Sequence, residues 1–306
     1  MTRRVGELGA AALRQALAGP GLRLRTGPFV YCLRSRLEGV AEGLAAMYAD
    51  FPLSDSPLAD FHLTVDRMPG LRGHWRPQVN AWLDGFAPFV PLPLEHGYAL
   101  LEWAMNFCVA GCAHHYLMLH AACLERDGRA LILPGAPGSG KSTLTAALML
   151  AGWRLLSDEI TLIDRDSGAL LGLGRPVSLK NASLDVIRER APAGRMGRVA
   201  HDTHKGSVGH LRPSADSVAQ VDRAARAAQI VFPRWSAGAA TEWREHDRAE
   251  AFEILARNGF NYSLLGRLGF ELVEGLIETC GAWHLRYSEL DEALPALERL
   301  LQEGRP

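Results

Sequence analysis

The stretch GAPGSGKST at residues 135–143 decides how this chain is read. It fits the pattern GxxxxGK[ST], follows the apolar run ALIL at 130–133 and opens the apolar residues 144–150, which is the order strand, glycine loop, helix. In that order the backbone N–H groups of Gly138, Gly140 and Lys141 are candidates to cradle phosphate oxygens. Gly135, Ser139 and Thr143 complete the expected nucleotide loop, Lys141 is expected to neutralise the terminal phosphates, and Ser142 to offer its hydroxyl to magnesium. ATP and Mg2+ are therefore the expected ligands. A glycine-rich turn with a solvated lysine is the competing reading, and the apolar helix that opens at the loop weighs against it.

Downstream, LLSDE at 155–159 sets two adjacent acids at the end of the next expected strand, where an open α/β sheet presents its functional groups. Asp158 is the candidate to accept the proton of an attacking hydroxyl, and Glu159 the candidate to hold magnesium. An acid pair in a hairpin turn would look the same in isolation. Upstream, His120 ends the run YLMLH just before the strand that feeds the loop, and is a candidate to hydrogen-bond a catalytic acid or a phosphate; a satisfied core histidine fits equally. In HDTHKGSVGH at 201–210, three histidines match no zinc spacing. A mobile loop in which Lys205 and the N–H of Gly206 meet phosphate or substrate, helped by Arg212, is the sharper reading, against a merely solvated basic loop.

Composition bounds the partners. The chain has 306 residues, 48% of them apolar, enough for one large or two ordinary hydrophobic cores. Lys and Arg total 33 against 34 Asp and Glu, so no global field draws nucleic acid or an anionic membrane, and neither is an expected partner. Five cysteines with no CxxC pair speak against a zinc site; Cys108 and Cys112, one helical turn apart, read as packing residues. The N-terminal stretch lacks an apolar core followed by a cleavage site, and no run of 18 residues is free of polar interruption, which predicts a cytoplasmic protein.

Periodicity and turn residues give the organisation. An amphipathic helix over 1–20 precedes strands at 22–25 and 29–34, a helix at 38–48 and a strand at 61–65. Residues 71–93 read as ordered loops with short strands, and 102–123 as helix turning to strand near His120. Beyond the loop come a helix at 144–151 and strands at 153–156, 160–163, 169–173 and 176–179. Residues 190–217 read as an exposed functional loop. A strand at 230–233, helices at 249–256 and 270–278, a strand at 283–287 and a polar-faced helix at 290–300 complete the chain. One boundary near residue 100 is expected, between an N-terminal α+β region at 1–100, suited to substrate or partner recognition, and an ATP-binding catalytic domain at 101–306.

Taken together, LHAA with His120, the glycine loop, GWRLLSDE, GLGRPVSLKN at 172–181 and HKGSVGHLRP at 204–213 resemble the HPr serine kinase/phosphorylase superfamily, in its HPr-kinase-related kinase A branch. The resemblance covers the C-terminal two thirds. It implies an α/β P-loop kinase core of the HPr-kinase/phosphoenolpyruvate-carboxykinase type with a smaller N-terminal α+β region. It also carries the roles of base and magnesium ligand onto Asp158 and Glu159, where the superfamily's kinases have two aspartates. The implied activity is ATP-dependent phosphoryl transfer to a hydroxyl on a peptide, a small protein or a small molecule. An ATPase driving a partner in peptide maturation and a non-catalytic ATP-binding module are the alternatives, and a homo-oligomer is compatible with all three.

Overall fold

A computed structural model describes residues 3–70 and 75–305. They group into two compact units, one made of the chain up to Gly111 with Ser178–Ala219, the other of Cys112–Val177 with the chain from Gln220. Sequence reading sets one boundary near residue 100; here the long helix before Gly111 and all of Ser178–Ala219 belong to the first unit. The contacts responsible join residues more than a hundred positions apart, such as Arg212 with Asp50 and His96 with His201, so a linear scan of composition does not register them.

The first unit begins with α1 (Ala10–Ala18), β1 (Leu22–Thr26), β2 (Phe29–Arg34), α2 (Glu38–Met47), β3 (Phe61–Arg67), β4 (Gln78–Leu83), β5 (Leu92–Pro93) and α3 (Gly97–Cys112). The five strands form one sheet in sequence order, β2 and β3 parallel and the other pairs antiparallel. Alternation in LRLRT, burying Leu22, Leu24 and Thr26, sets which face of β1 meets the core. Four residues of the expected loops at 71–93, residues 71–74, lie outside the described chain.

The second unit opens with β6 (Tyr116–Leu119), β7 (Ala121–Arg126), β8 (Arg129–Pro134), α4 (Lys141–Leu150), β9 (Arg154–Ser157), β10 (Thr161–Asp164) and β11 (Leu170–Leu171). The chain then forms β12 (Val177–Lys180), α5 (Ala182–Arg188), β13 (Ala200–Thr203), β14 (Gly206–Leu211) and α6 (Ala215–Ala219). This corrects the expectation of an exposed loop at 190–217: β13 and β14 pair as a hairpin, and Val208, His210 and Leu211 are buried. The Gly, Ser and His content of SVGHL masks a strand whose burial comes from packing that local polarity does not encode.

The remaining elements are β15 (Arg226–Trp235), β16 (Glu242–Glu245), α7 (Arg248–Arg257), α8 (Tyr262–Leu265), α9 (Arg267–Thr279), β17 (Gly281–Tyr287) and α10 (Leu290–Glu303). The main sheet of this unit is mixed, in the order β16-β17-β15-β8-β7-β9. Its centre, β8, is apolar on both faces because both are covered: Ala130 and Ile132 join the core that takes in Ala251, Leu255, Val273 and Leu276 of α7 and α9. On the opposite face α4 packs on β7 and β9, and α10 touches α4, β8, β15 and β17. Leu297, Leu300 and Leu301 give α10 the apolar stripe this packing needs.

Candidate functional site

The strand directions of the main sheet place the candidate residues of the second unit. β8, β15 and β17 are mutually parallel, β7 is antiparallel to β8, and β9 is antiparallel to β7, so β8, β9, β15 and β17 all run one way. Their C-terminal ends, Pro134, Ser157, Trp235 and Tyr287, therefore share one sheet edge with the start of β7, which follows His120. Pro134 lies opposite Ala121 and Ser157 opposite Cys123, on the two sides of β7, so the chain leaves the sheet toward the glycine loop and toward Asp158 about 10 Å apart.

The glycine loop has the backbone its residues predict. It turns from β8 directly into α4, with Gly138 at φ 85° and Gly140 at φ 87°, conformations that side chains other than glycine's rarely adopt. The Ser139 N–H donates to the Ala136 carbonyl at 3.1 Å, and the Leu144 N–H closes the first helical turn onto Gly140 at 2.9 Å. A Cβ on Gly135 would stand 2.6 Å from Ser139 Oγ. Lys141, the first residue of α4, is buried. The hydroxyl of Ser139 is buried with no hydrogen-bond partner among the described residues, an acceptor-donor group left over inside the loop.

Two residues that sequence reading did not single out fix this loop from neighbouring strands. β15 runs on past the level of Pro134 by about three residues, roughly 10 Å, which brings its last residue alongside the loop. There the Trp235 N–H donates to the Ser139 carbonyl at 2.9 Å. Tyr287, at the end of β17, donates its phenolic hydrogen to the Gly140 carbonyl at 3.2 Å. Burial pushes the Tyr287 phenol above its ordinary value, so it remains a donor across the working pH range. The available signal was an aromatic residue ending each of two apolar strands.

The acids are held by their own turn. Ser157 Oγ accepts from the N–H of Ile160 at 2.9 Å and of Glu159 at 3.3 Å, a serine turn that fixes the backbone carrying Asp158 and Glu159. The Leu156 carbonyl accepts from the N–H groups of both Leu173 and Gly174, at 2.8 and 2.9 Å, which ties the next segment to the same strand end. Both acids are half-buried. His120 donates its N–H to the Asn258 carbonyl at 2.7 Å, and its ring stacks on Phe260 at 5.7 Å with planes 15° apart. The glycine loop, Asp158, Glu159 and His120 thus stand on one edge of one sheet.

Lys205, Gly206 and Arg212 belong to the first unit. Lys205 stands in the turn of the β13–β14 hairpin with its ammonium 5.1 Å from the centre of the Trp103 ring, which His204 meets edge-on at 5.0 Å. Thr203 Oγ1 accepts from the Lys205 N–H at 3.0 Å and donates to the Gly206 carbonyl at 2.6 Å. Gly206 has φ 80°, and a Cβ there would lie 2.2 Å from Asn181 Oδ1. Arg212 forms an ion pair with Asp50 at 2.8 Å. The segment is therefore a hairpin where sequence reading expects an irregular loop.

Among the described residues no group of three or more His, Cys, Asp or Glu is arranged to hold a metal. The Ser142 hydroxyl and the Glu159 carboxylate are hard oxygen donors of the kind magnesium takes when phosphate supplies further ligands. No helix of the described residues is long and apolar enough to cross a membrane.

No protein-family model matches the chain, and no curated protein does. Among solved structures, the Hpr(Ser) kinase/phosphatase from Coxiella burnetii is similar over 61% of this chain and 99% of its own, at 14% identity and a TM-score of 0.27. Likeness at that level fixes neither a family nor a chemistry.

Proposed function

We propose that the chain transfers a phosphoryl group from ATP to a hydroxyl, on a peptide, a small protein or a small molecule, as a kinase of the HPr-kinase-related type. The observation that carries this reading is the shared sheet edge: a glycine loop with two left-handed glycines entering a helix, and, across β7 from it, two adjacent acids directly after the end of β9. Loop N–H groups at a helix start suit phosphate oxygens, and the unpartnered Ser139 hydroxyl adds a polar group to the same cradle.

In this reading Gly138, Gly140 and Lys141 bind and orient the phosphates, with the Lys141 ammonium offsetting their charge. Ser142 and Glu159 would hold magnesium, which supplies charge neutralisation at the phosphate oxygens. Asp158 takes the proton of the acceptor hydroxyl as the hydroxyl oxygen bonds to the γ-phosphorus and the bond from that phosphorus to the bridging oxygen breaks, releasing ADP, and His120, just before β7, orients that carboxylate. Lys205, whose ammonium faces the Trp103 ring, Arg212, which pairs with Asp50, and Gly206 between them are assigned no role in it.

The test follows the label. The chain is incubated with γ-labelled ATP, magnesium and a mixed library of serine- and threonine-containing peptides. Label in peptide is the expected result. Label only in inorganic phosphate would make the chain an ATPase, and label remaining in ATP would contradict transfer to a peptide hydroxyl. Asp158→Asn keeps the shape and removes the proton acceptor, so transfer should fall about 10²-fold or more while ATP still binds.

A further inference from the structure

Phosphate capture at the glycine loop leaves open what the rest of a nucleotide would meet. Trp235 is half exposed, at 50%, although it ends a strand whose residues Ile230 to Pro233 are buried. A lone exposed aromatic side chain on a protein surface is ordinary. This one is clamped. Its backbone N–H donates to the Ser139 carbonyl at 2.9 Å, and its indole Nε1–H donates to the Ser288 carbonyl at 3.1 Å. Its Cβ lies so close to the loop that a Cβ on Gly140 would be 2.8 Å away. The indole is thereby held in one orientation at the side of the loop, with much of its surface in solvent.

The sheet explains the placement. Ligands of open α/β sheets sit beyond the carboxyl ends of parallel strands, and β8, β15 and β17 are the parallel strands of this unit. The first supplies the loop, the second ends in Trp235 and the third in Tyr287. Tyr287 is buried and gives its hydroxyl to the loop backbone, whereas Trp235 gives the loop only its backbone and leaves its ring available.

We propose that Trp235 is the stacking platform for the base of a nucleotide whose phosphates occupy the glycine loop. The inference rests on the proposed phosphate site. Stacking reads the π face and not the hydrogen-bonding edge, so the contribution should be shared by ATP and GTP and absent for an inorganic triphosphate.

Calorimetric titration of the full chain with magnesium ATP and with magnesium tripolyphosphate tests it. Trp235→Ala should weaken ATP about 5- to 150-fold and leave tripolyphosphate unchanged, with Trp235→Phe recovering most of the loss. Trp235→Phe also serves if the alanine variant fails to fold, since stacking predicts near wild-type selectivity for ATP over tripolyphosphate in that variant. Equal weakening of both ligands would make Trp235 a support of the loop backbone and overturn the proposal, as would no weakening of either. If the wild-type chain binds tripolyphosphate as tightly as ATP, the phosphate-loop reading stands and the base platform falls. If the wild-type chain binds neither, both fall.

Discussion

Single side chains carry the sharpest energetic statements about the second unit. Glu125 on β7 and Arg154 on β9 are cross-strand partners joined by a charge-assisted hydrogen bond, with side chains only 5% and 6% exposed. Arg154 also donates to the carbonyls of Gln220 and Arg223, at 3.0 and 2.8 Å, and Glu125 accepts from the Gly128 N–H. Removing one partner of a buried pair strands the other charge, so Glu125→Ala should destabilise by about 3–5 kcal/mol in denaturant unfolding. Glu125→Leu with Arg154→Met should regain most of it, because burying ions is itself costly. A single-variant loss no larger than that of an exposed pair would show that the arginine finds enough compensation in the two carbonyls. The pair is not legible in sequence, since its members lie 29 residues apart and become neighbours only through strand register. The acids Asp158 and Glu159 were legible, because SDE directly after an apolar strand announces a strand end.

Elements turn those residues into a site. The glycine loop was readable because its glycines are demanded by backbone conformation, and the structure grades the demand. Gly138 and Gly140 both lie at positive φ, but a Cβ on Gly138 meets open space, whereas on Gly140 it would lie 2.5 Å from Tyr287 Oη and 2.8 Å from Trp235 Cβ. Either alanine substitution costs about 1–2 kcal/mol in backbone strain, and only Gly140→Ala must also displace the loop from its two anchors. Thermal melts and ATP titration of both variants should therefore find Gly140→Ala the more destabilised and the weaker binder. Equal behaviour would mean the anchors do not hold the loop's shape. What the sequence hid was the anchoring itself, since Trp235 and Tyr287 reach the loop from 96 and 147 residues downstream. The hairpin at β13–β14 was hidden for a different reason: its Gly206 and polar residues read as loop, while Val208, His210 and Leu211 owe their burial to the sheet and helices around them.

Across the whole chain, apolar periodicity gave elements such as β1, β2, α2, β3, β17 and α10, whereas α5, β13, β14, α6 and β16 did not follow from it. Nor did domain membership. Ser178–Ala219 joins the first unit although it is flanked on both sides by chain of the second. Nothing in local composition marks that exchange; it rests on pairs such as Arg212 with Asp50 and the His96 ring with the His201 carbonyl at 2.7 Å. Chemistry is assigned to residues of the second unit alone, which makes Lys141 its most exposed hypothesis. The direct measurement is steady-state release or transfer of the γ-phosphate of magnesium ATP by the wild-type chain and by Lys141→Ala. Phosphoryl transfer at this loop predicts that kcat falls about 10²-fold or more when the ammonium is removed, because the charge it balances grows in the transition state. An unchanged kcat in a folded Lys141→Ala variant would contradict it and remove the glycine loop from the reaction.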